Sequence, residues 1–354
     1  MPKNLKASSR KCSSCGDDMF FNPEKLVLFC PACHSERKIT TKKVYTKHDI
    51  NENISTHKNE EWANKIISMQ CPNCAASTLL KQYATSVKCQ YCETPLIADS
   101  NQFSGLKPDA ILPFTFNKAR AEEIFKNKIG RRWLAPRSLK QSVKADTIRA
   151  FYFPAFVFDA ECHSTYDGRL YENVDVKDSD GETSTERRYF NIKGEEFTSH
   201  SNIEVEASAR LSQYELNKIR PYDLTKAYAY TDEFVYGFAL ENYSNSVKET
   251  NSQAQTIIKQ QIRKTILSKY DHDGVSEFNL QTTFIKQRYS YCVLPIYRIN
   301  YTYKKKNYSN IMNGQTGALG GDYPKSIVKI LLIVLGFMAV FGVPIIALIL
   351  SMFS

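Results

Sequence analysis

Eight of the ten cysteines follow one spacing twice, and this constrains the fold more than any other feature of the chain. The first copy is Cys12, Cys15, Cys30 and Cys33, and the second copy is Cys71, Cys74, Cys89 and Cys92. Two cysteines that flank two residues can form a turn whose sulfurs point at one ion, and the longer spacer can form a hairpin that joins both turns. We therefore predict two zinc ribbons, residues 1–40 and 69–100, with one structural Zn²⁺ in each.

The chemistry of the predicted sites favours a structural role. Four thiolates fill the tetrahedral shell of Zn²⁺, so neither site keeps an open position for catalysis. A redox dithiol is the alternative interpretation of each cysteine pair, but that motif normally lies beside a βαβ pattern, which this polar region lacks. His34 could replace Cys33 as a ligand, although a complete set of four cysteines needs no replacement. Because neither ribbon has enough apolar residues for a core, metal binding is expected to hold each together.

The region around the ribbons is polar but not strongly basic. Residues 41–68 are rich in Lys, Thr, Asn and Glu, which predicts a polar linker in which His48 and His57 are solvated. The chain carries a formal charge of +10, yet residues 1–100 hold only 14 Lys and Arg against 10 Asp and Glu. Each four-thiolate zinc site adds a charge of about −2, so the loaded ribbons are near neutral, which argues against strong binding to phosphates.

The C-terminal residues 330–352 contain no charged side chain. A helix of this length spans about 35 Å, enough to cross a bilayer, and the alternative of a buried core helix fits less well because no face is polar. Lys325 and Lys329 precede the segment, so the positive-inside rule predicts a single-pass protein of the cell membrane with a cytoplasmic N-terminal body. The lipid bilayer is then a partner through residues 330–352, and reduced cysteines and the lack of a secretory signal agree with this localisation.

Residues 108–324 are predicted to form one domain with an antiparallel sheet. Asn117 can cap a helix that ends near Gly130, and Ser246 with Glu249 forms the capping box of a second helix to about Tyr270. Strand patterns cover 151–160, 163–172, 187–197 and 202–211, with an acidic hairpin tip between 173 and 186. The predicted fold class is thus α+β, with two N-terminal four-cysteine zinc ribbons, a central antiparallel-sheet domain and one C-terminal transmembrane helix.

No pattern in the sequence predicts an active site. Cys162 and Cys292 lie outside the ribbons, and Cys162 with His163 could form a nucleophile and its base. Adjacent strand residues point to opposite faces, however, so we interpret Cys162 as a buried structural cysteine. No Ser-His-Asp order, HExxH motif or paired-carboxylate signature is recognisable, and we predict no catalytic residue and no enzymatic activity.

Several motifs together resemble a known family. They are CPNC and CQYC in the second ribbon, DAILPFTF at 109–116, RRWLAPRSLK at 131–140, YFPAFVFDAECHSTYDG at 152–168, RPYDL at 220–224 and CVLPIYRINYTYKKKNYSNIMNGQTG at 292–317. From Cys71 onward the chain resembles the bacterial zinc-ribbon proteins often labelled primosomal-helicase-like, in the two-ribbon, tail-anchored branch with a C-terminal membrane anchor. The helicase label itself finds no support, because the sequence contains no Walker A motif.

The resemblance implies a function in protein recruitment. Membrane-anchored members of that family are similar to proteins encoded beside SPFH-domain and phage-shock-protein-A-like membrane-stress proteins, which implies that they recruit such partners. We therefore predict a membrane-anchored adaptor, and the alternative is a membrane-tethered nucleic-acid-binding protein, marked by a basic ribbon face with aromatic residues. An enzyme would instead need a pocket with perturbed titratable groups in the central domain.

Overall fold

The computed structural model describes residues 10–52, 60–81, 86–92, 94–97, 105–136, 138–139, 148–177, 182–208, 210–211 and 213–338. The strands are β1 (Phe20–Asn22), β2 (Val27–Phe29), β3 (Glu36–Lys38), β4 (His48–Asp49), β5 (Ile66–Gln70), β6 (Ser77–Lys81), β7 (Ser86–Lys88), β8 (Pro95–Ile97), β9 (Ala110–Ile111), β10 (Ile148–Lys177), β11 (Thr183–Glu206), β12 (Tyr228–Ala229), β13 (Ala239–Glu241), β14 (Gly274–Tyr303), β15 (Lys306–Asn313) and β16 (Leu319–Gly321). The α-helices are α1 (Glu60–Ala63), α2 (Lys118–Arg131), α3 (Gln213–Ile219), α4 (Val247–Leu267) and α5 (Ile327–Phe337), and short 3₁₀ helices cover Leu224–Lys226 and Asp232–Val235.

Within the described residues the strands form three sheets. Strands β1, β2 and β3 make the small antiparallel sheet of the first ribbon, and β7 pairs with β8 in the second ribbon. The other eleven strands form one large sheet around β10, which is antiparallel to β11 and to β14. Two short pairings are parallel, β10 with β13 and β14 with β9. The long central strands therefore connect nearly every part of the chain.

The first half of β10 forms the centre of the hydrophobic core. Every residue from 151 to 158 is buried. Tyr152 and Phe156 belong to a core on one face of the sheet, whereas Phe151 and Phe153 belong to a second core on the other face, together with Leu216 of α3. A strand that is covered on both faces needs apolar residues at every position, which explains the unbroken apolar run in the sequence.

The second half of β10 extends from this core in a three-stranded arm, which comprises residues 159–177, 183–202 and 274–288. Helix α4 covers one face of the arm with its buried side chains Ala254, Ile258, Ile262 and Ile266. The hydroxyls of Tyr166 and Tyr270 lie 2.8 Å apart and join the arm to the segment that follows α4. The opposite face is exposed and carries Phe197, 70% exposed, and Ile285, 61% exposed. Alternating residues of the arm thus point to α4 and to solvent.

Both helices predicted for the central domain are confirmed, whereas the strand boundaries are corrected. Asn117 caps α2 by accepting a hydrogen bond from the Arg120 N–H, and α4 begins with the complete capping box of Ser246 and Glu249. The four predicted strands are parts of only two, β10 and β11, which reach into the acidic stretch as far as residues 177 and 183. Between the predicted strands the register shifts at β-bulges instead of ending.

The predicted linker lies against the large sheet wherever the structure describes it. Strand β4 pairs with β14, and the His48 Nε2 lies 2.8 Å from the Asp109 Oδ1. In α1, Trp62 is buried, and β5 continues directly into the second ribbon. His57 falls outside the described residues. The described parts of segment 41–68, residues 41–52 and 60–68, therefore differ from a free linker, because some of their apolar and hydrogen-bonding side chains attach them to the sheet.

The predicted fold class is wrong, because sheet predominates and no transmembrane helix is found among the described residues. Among the described residues, no helix combines the length and the apolar character needed to cross a bilayer. Helix α5 contains 11 residues, and the rest of the segment 330–352 lies outside the described residues. The helix is joined to the body where Ser326 N–H donates to Leu134 O and the Lys329 ammonium donates to Ala135 O. The predicted single-pass membrane localisation with a cytoplasmic body is therefore not supported.

Candidate metal centres

The structure brings each predicted set of four cysteines together. In each set, the four sulfurs lie within 4.8 Å of one another: Cys12, Cys15, Cys30 and Cys33 in the first set, and Cys71, Cys74, Cys89 and Cys92 in the second. Across the two turns of the first ribbon, the sulfurs of Cys12 and Cys33 are 3.6 Å apart. In the second ribbon, the matching pair Cys71 and Cys92 is 3.5 Å apart.

These separations fit a four-coordinate metal ion. Four sulfurs at about 2.3 Å from a tetrahedral Zn²⁺ would be about 3.8 Å from one another, close to the observed separations and far longer than a disulfide bond. All ten cysteines are free thiols. Two four-cysteine clusters with this geometry fit two structural metal ions, and four sulfur donors leave no ligand position for a substrate.

The backbone of each cluster follows the same pattern in both ribbons. The N–H of the residue after the second cysteine donates to the carbonyl of the first cysteine, from Gly16 to Cys12 in one ribbon and from Ala75 to Cys71 in the other. This turn requires a positive φ, which is 78° at Gly16 and 53° at Ala75. Glycine adopts this region readily, whereas alanine pays a steric cost there. The two ribbons therefore share a turn but not the residue best suited to it.

A hydroxyl supports the last cysteine of each ribbon, and the sequence interpretation missed this residue. Ser35 Oγ lies 3.0 Å from the Cys12 sulfur and 3.1 Å from the Cys33 sulfur. In the second ribbon, Thr94 Oγ1 lies 3.2 Å from the Cys92 sulfur. The hydroxyl of Ser35 is the largest cause that lowers the pKa of the Cys12 thiol to about 5, which favours the thiolate that binds metal. In both sets a residue with a hydroxyl stands two positions after the last cysteine, and this shared position could have identified Ser35 and Thr94 from the sequence.

The two clusters differ in their exposure. In the first ribbon Cys12 and Cys30 are buried, whereas Cys15 and Cys33 are exposed. In the second ribbon the equivalent outer ligands, Cys74 and Cys92, are half-buried.

The first ribbon is attached to the central body by side-chain contacts, among them those of Phe21, Glu24 and Arg37. Phe21 of β1 packs edge-on against Phe234 at 5.2 Å and against Phe238 at 6.2 Å between ring centroids. The Phe21 N–H donates to Tyr236 O, and the Arg37 guanidinium lies 3.5 Å from the Glu233 carboxylate. The ribbon keeps its own three-stranded sheet, so these contacts join two separate pieces of secondary structure.

The second ribbon is continuous with the large sheet. Its strands β5 and β6 pair with each other, and β6 pairs with β13. Tyr91, between two metal ligands, donates its hydroxyl hydrogen to Glu241 of β13, which also accepts a 2.6 Å hydrogen bond from Ser208. Glu241 is fully buried, and this burial raises its pKa to about 7. The turn that holds the metal is thereby linked to a buried carboxyl group of the central body.

The other cysteines show no catalytic arrangement among the described residues. Cys162 is buried beneath α4, and burial raises the pKa of its thiol to about 11. His163 points to the opposite face, where its ring stacks on Phe197 at 4.3 Å and its Nε2 lies 2.9 Å from Glu195. Burial also raises the pKa of the Cys292 thiol. His34 forms a positive-φ turn beside Cys33 and is exposed.

Comparisons with known proteins give one relative and no family. No family model matches the chain. It is 25% identical over 330 residues to the uncharacterized protein YdjG of Bacillus subtilis strain 168, a match that covers 90% of each chain. No solved structure is similar.

Proposed function

We propose that this protein is a non-enzymatic adaptor that uses two zinc ribbons, both held against one large sheet, to bind a protein partner. The observation that carries the proposal is the attachment of both closed four-cysteine clusters to the central body, through Phe21 in one ribbon and through β6 and Tyr91 in the other. A closed ligand shell supports a structural metal rather than a catalytic one. Ribbons held in place offer a preformed surface, and preformed surfaces lose less entropy on binding.

Zn²⁺ is the metal that we assign to both clusters. It accepts four thiolates in tetrahedral geometry and has no geometric preference of its own that would oppose the arrangement. Elemental analysis of the purified chain should find two zinc ions per chain. Iron in place of zinc, or substantially fewer than two metal ions, would contradict this assignment.

The outer turn of the first ribbon is the surface to which we assign the partner. Its residues Pro31, Ala32 and Cys33 are exposed, whereas Phe21 of the same ribbon packs on the body. The family resemblance supports an SPFH-domain or phage-shock-protein-A-like partner for this surface.

The charges of the first ribbon favour a protein partner over a nucleic acid. Arg10 and Lys11 both contact Asp18, at 3.3 and 3.0 Å. Lys25 pairs with Glu36, and Arg37 pairs with Glu233. A phosphate backbone would have to compete with these carboxylates for these four cations, and phosphate contacts supply most of the non-specific affinity for nucleic acids.

Neither of two cavities in the central body has the size of a typical ligand pocket. A groove of about 130 Å³ beside the β-bulges is lined by His200, Lys286, Arg288 and neighbouring polar residues. A second cavity of about 10 Å³ adjoins the hydrogen bond between His48 and Asp109. Both are small compared with the roughly 300 to 1,000 Å³ of typical ligand pockets.

Direct binding to purified candidate partners tests the proposal. The zinc-loaded chain, treated with nuclease, is mixed with a purified SPFH-domain protein or phage-shock-protein-A-like protein, and the complex is measured by calorimetry. We expect binding by the native chain and its loss in Ala32→Glu, which places a charge on the exposed turn. Gln253→Glu, which adds the same charge on the exposed face of α4, is the matched control and should bind normally.

One result would contradict the adaptor function, and another would contradict the assigned partner surface. Nuclease-sensitive binding to single-stranded or duplex nucleic acid, with a steep dependence on salt, would establish the nucleic-acid alternative instead. Equal binding by Ala32→Glu and Gln253→Glu would show that the turn of the first ribbon is not the partner surface.

A further inference from the structure

The outer strand of the arm has an unusual symmetry of charge. Along β11, Arg187 lies four residues before Asn191, and Glu195 lies four residues after it. Tyr189 and Lys193 stand two residues before and after the same position. If β11 were placed antiparallel to a copy of itself with Asn191 at the centre, every Arg187 would face a Glu195 and every Tyr189 a Lys193.

The backbone of β11 is suited to such a pairing. Among the described residues, β11 pairs only with β10, so its second edge faces away from the large sheet. Its register against β10 is uninterrupted from Thr183 to His200, and the β-bulge begins just beyond. Asn191 lies at the middle of this regular stretch. An unpaired edge of this length presents about one free backbone hydrogen-bonding group per residue and is a template for another strand.

Side chains on both faces are compatible with this register. In an antiparallel pair, directly opposite residues point to the same face, which places Phe190 against Ile192 on the side of α4. The opposite face brings together two exposed side chains, Arg187, which lies over the Tyr171 ring at 4.6 Å in the single chain, and Glu195, which lies 2.9 Å from His163. Glu196 would face Glu186, but its carboxylate already pairs with Lys269 of its own chain. Opposite charges directly across strands stabilise a pair, and like charges destabilise it.

From these observations we infer that β11 is a dimer interface whose partner is a second copy of this chain. The two arms join edge to edge into one six-stranded sheet around a two-fold axis at Asn191. Each interface contains two Arg187–Glu195 pairs, because a two-fold axis repeats every contact. Charged residues at this edge therefore select one register as well as discourage others.

Charge reversal tests the interface with the full zinc-loaded chain. The variant Arg187→Glu makes the edge more acidic, and Glu195→Lys makes it more basic. By native mass spectrometry at micromolar concentrations, the native chain should have twice the mass of one chain. Each variant alone should have the mass of one chain, because like charges then face each other. An equimolar mixture of the two variants should return to twice the mass, as a heterodimer of acidic and basic edges.

The mixture distinguishes the interface from loss of folding, since unfolded variants would not associate when mixed. A native chain of single mass, variants that remain dimers, or a mixture that stays at single mass would each overturn the inference.

A cysteine at the axis gives an independent measurement. Two Asn191→Cys side chains would face each other across the axis at a spacing that a disulfide accepts, whereas Ser199→Cys would lie far from its own copy. After oxidation with glutathione and blocking of the remaining thiols, Asn191→Cys should run as a covalent dimer and Ser199→Cys as a single chain. Equal cross-linking of both variants would exclude this register.

Discussion

The two ribbons share their ligand spacing, their turn hydrogen bonds and their supporting hydroxyl, but they are built into the protein differently. The first has a sheet of its own and contacts the body through side chains such as Phe21, Glu24 and Arg37. The second contributes β5 and β6 to the large sheet and reaches the buried Glu241 through Tyr91. The same metal site is therefore an attached module in one case and part of the main fold in the other.

This difference predicts how far unfolding spreads through the molecule when one metal ion is lost. A structural metal holds a small domain together, but only secondary structure shared with the rest of the molecule transmits its loss. In the first ribbon the damage should stop at the contacts of Phe21. In the second it should reach β6, β13 and the core that they border.

Removal of one ligand from each ribbon should give the largest difference. Cys30→Ser and Cys89→Ser replace equivalent buried ligands, and each should lower the metal content from two ions to one. We expect Cys89→Ser to lower the free energy of global unfolding by about 5 kcal/mol, in the range that accompanies loss of a metal. Cys30→Ser should leave global unfolding nearly unchanged and increase hydrogen exchange only in residues 10–40. Urea unfolding with hydrogen-exchange mass spectrometry measures both, and equal global effects would refute the distinction.

Phe21→Ala should detach the first ribbon without emptying it. Truncation of a buried phenylalanine costs about 4 kcal/mol. Here the contacts that are lost are those with Phe234 and Phe238. Both metal ions should remain, while protease cleavage between the ribbon and β4 becomes faster. Loss of metal from this variant would mean that the first ribbon depends on the body for its own fold.

The stability contributed near the second ribbon should depend on pH. Burial raises the pKa of Glu241 to about 7, above its ordinary value of 4.5, so the folded state holds this proton more tightly than the unfolded state. This contribution is fully present below pH 4.5 and is lost as the pH rises through about 7, a change of up to about 3 kcal/mol. Glu241→Gln removes the titrating group and keeps the shape of the side chain.

Urea unfolding at pH 5 and pH 8 measures this effect as a difference between the native chain and Glu241→Gln. The native chain should lose more stability than the variant between the two values, because metal binding changes equally in both. Parallel pH profiles would show that Glu241 does not titrate in this range.

The smallest expected effect is an exchange of turn residues between ribbons. Gly16→Ala places a side chain at a φ of 78°, and space is free around the added Cβ, so only backbone strain results. Ala75→Gly relieves the same strain. Metal affinity, measured by competition with a chelator, should fall about fivefold in the first variant and rise about fivefold in the second, which corresponds to about 1 kcal/mol in each direction. Changes of the same sign would disprove the equivalence of the turns.

The sequence predicted the metal clusters better than the sheet, and the reason is the distance between partners along the chain. The cysteines of one cluster, like the residues of one capping box, lie within some 20 residues of each other, so a local sequence pattern is enough to predict these features. The pairing of β10 with β14 joins Ile148 to Ile299, and no local pattern specifies it. The polar residues near Glu161 were interpreted as a strand end, yet the partner strands on both sides continue there, and the extra residue is taken up by a bulge. The bilayer-spanning prediction relied on the length and the uniform apolar character of residues 330–352, most of which lie outside the described residues.

The length of the arm has a mechanical consequence. A strand segment such as 159–177 reaches about 60 Å at 3.3 Å per residue, and three hydrogen-bonded strands braced by a helix bend little over that distance. Such a beam works as a lever, because a rotation of about 5° at its base displaces its tip by about 5 Å. The register shift between Phe158 and Ala160 lies at the base of this lever, where a given rotation has its largest effect on the position of the tip.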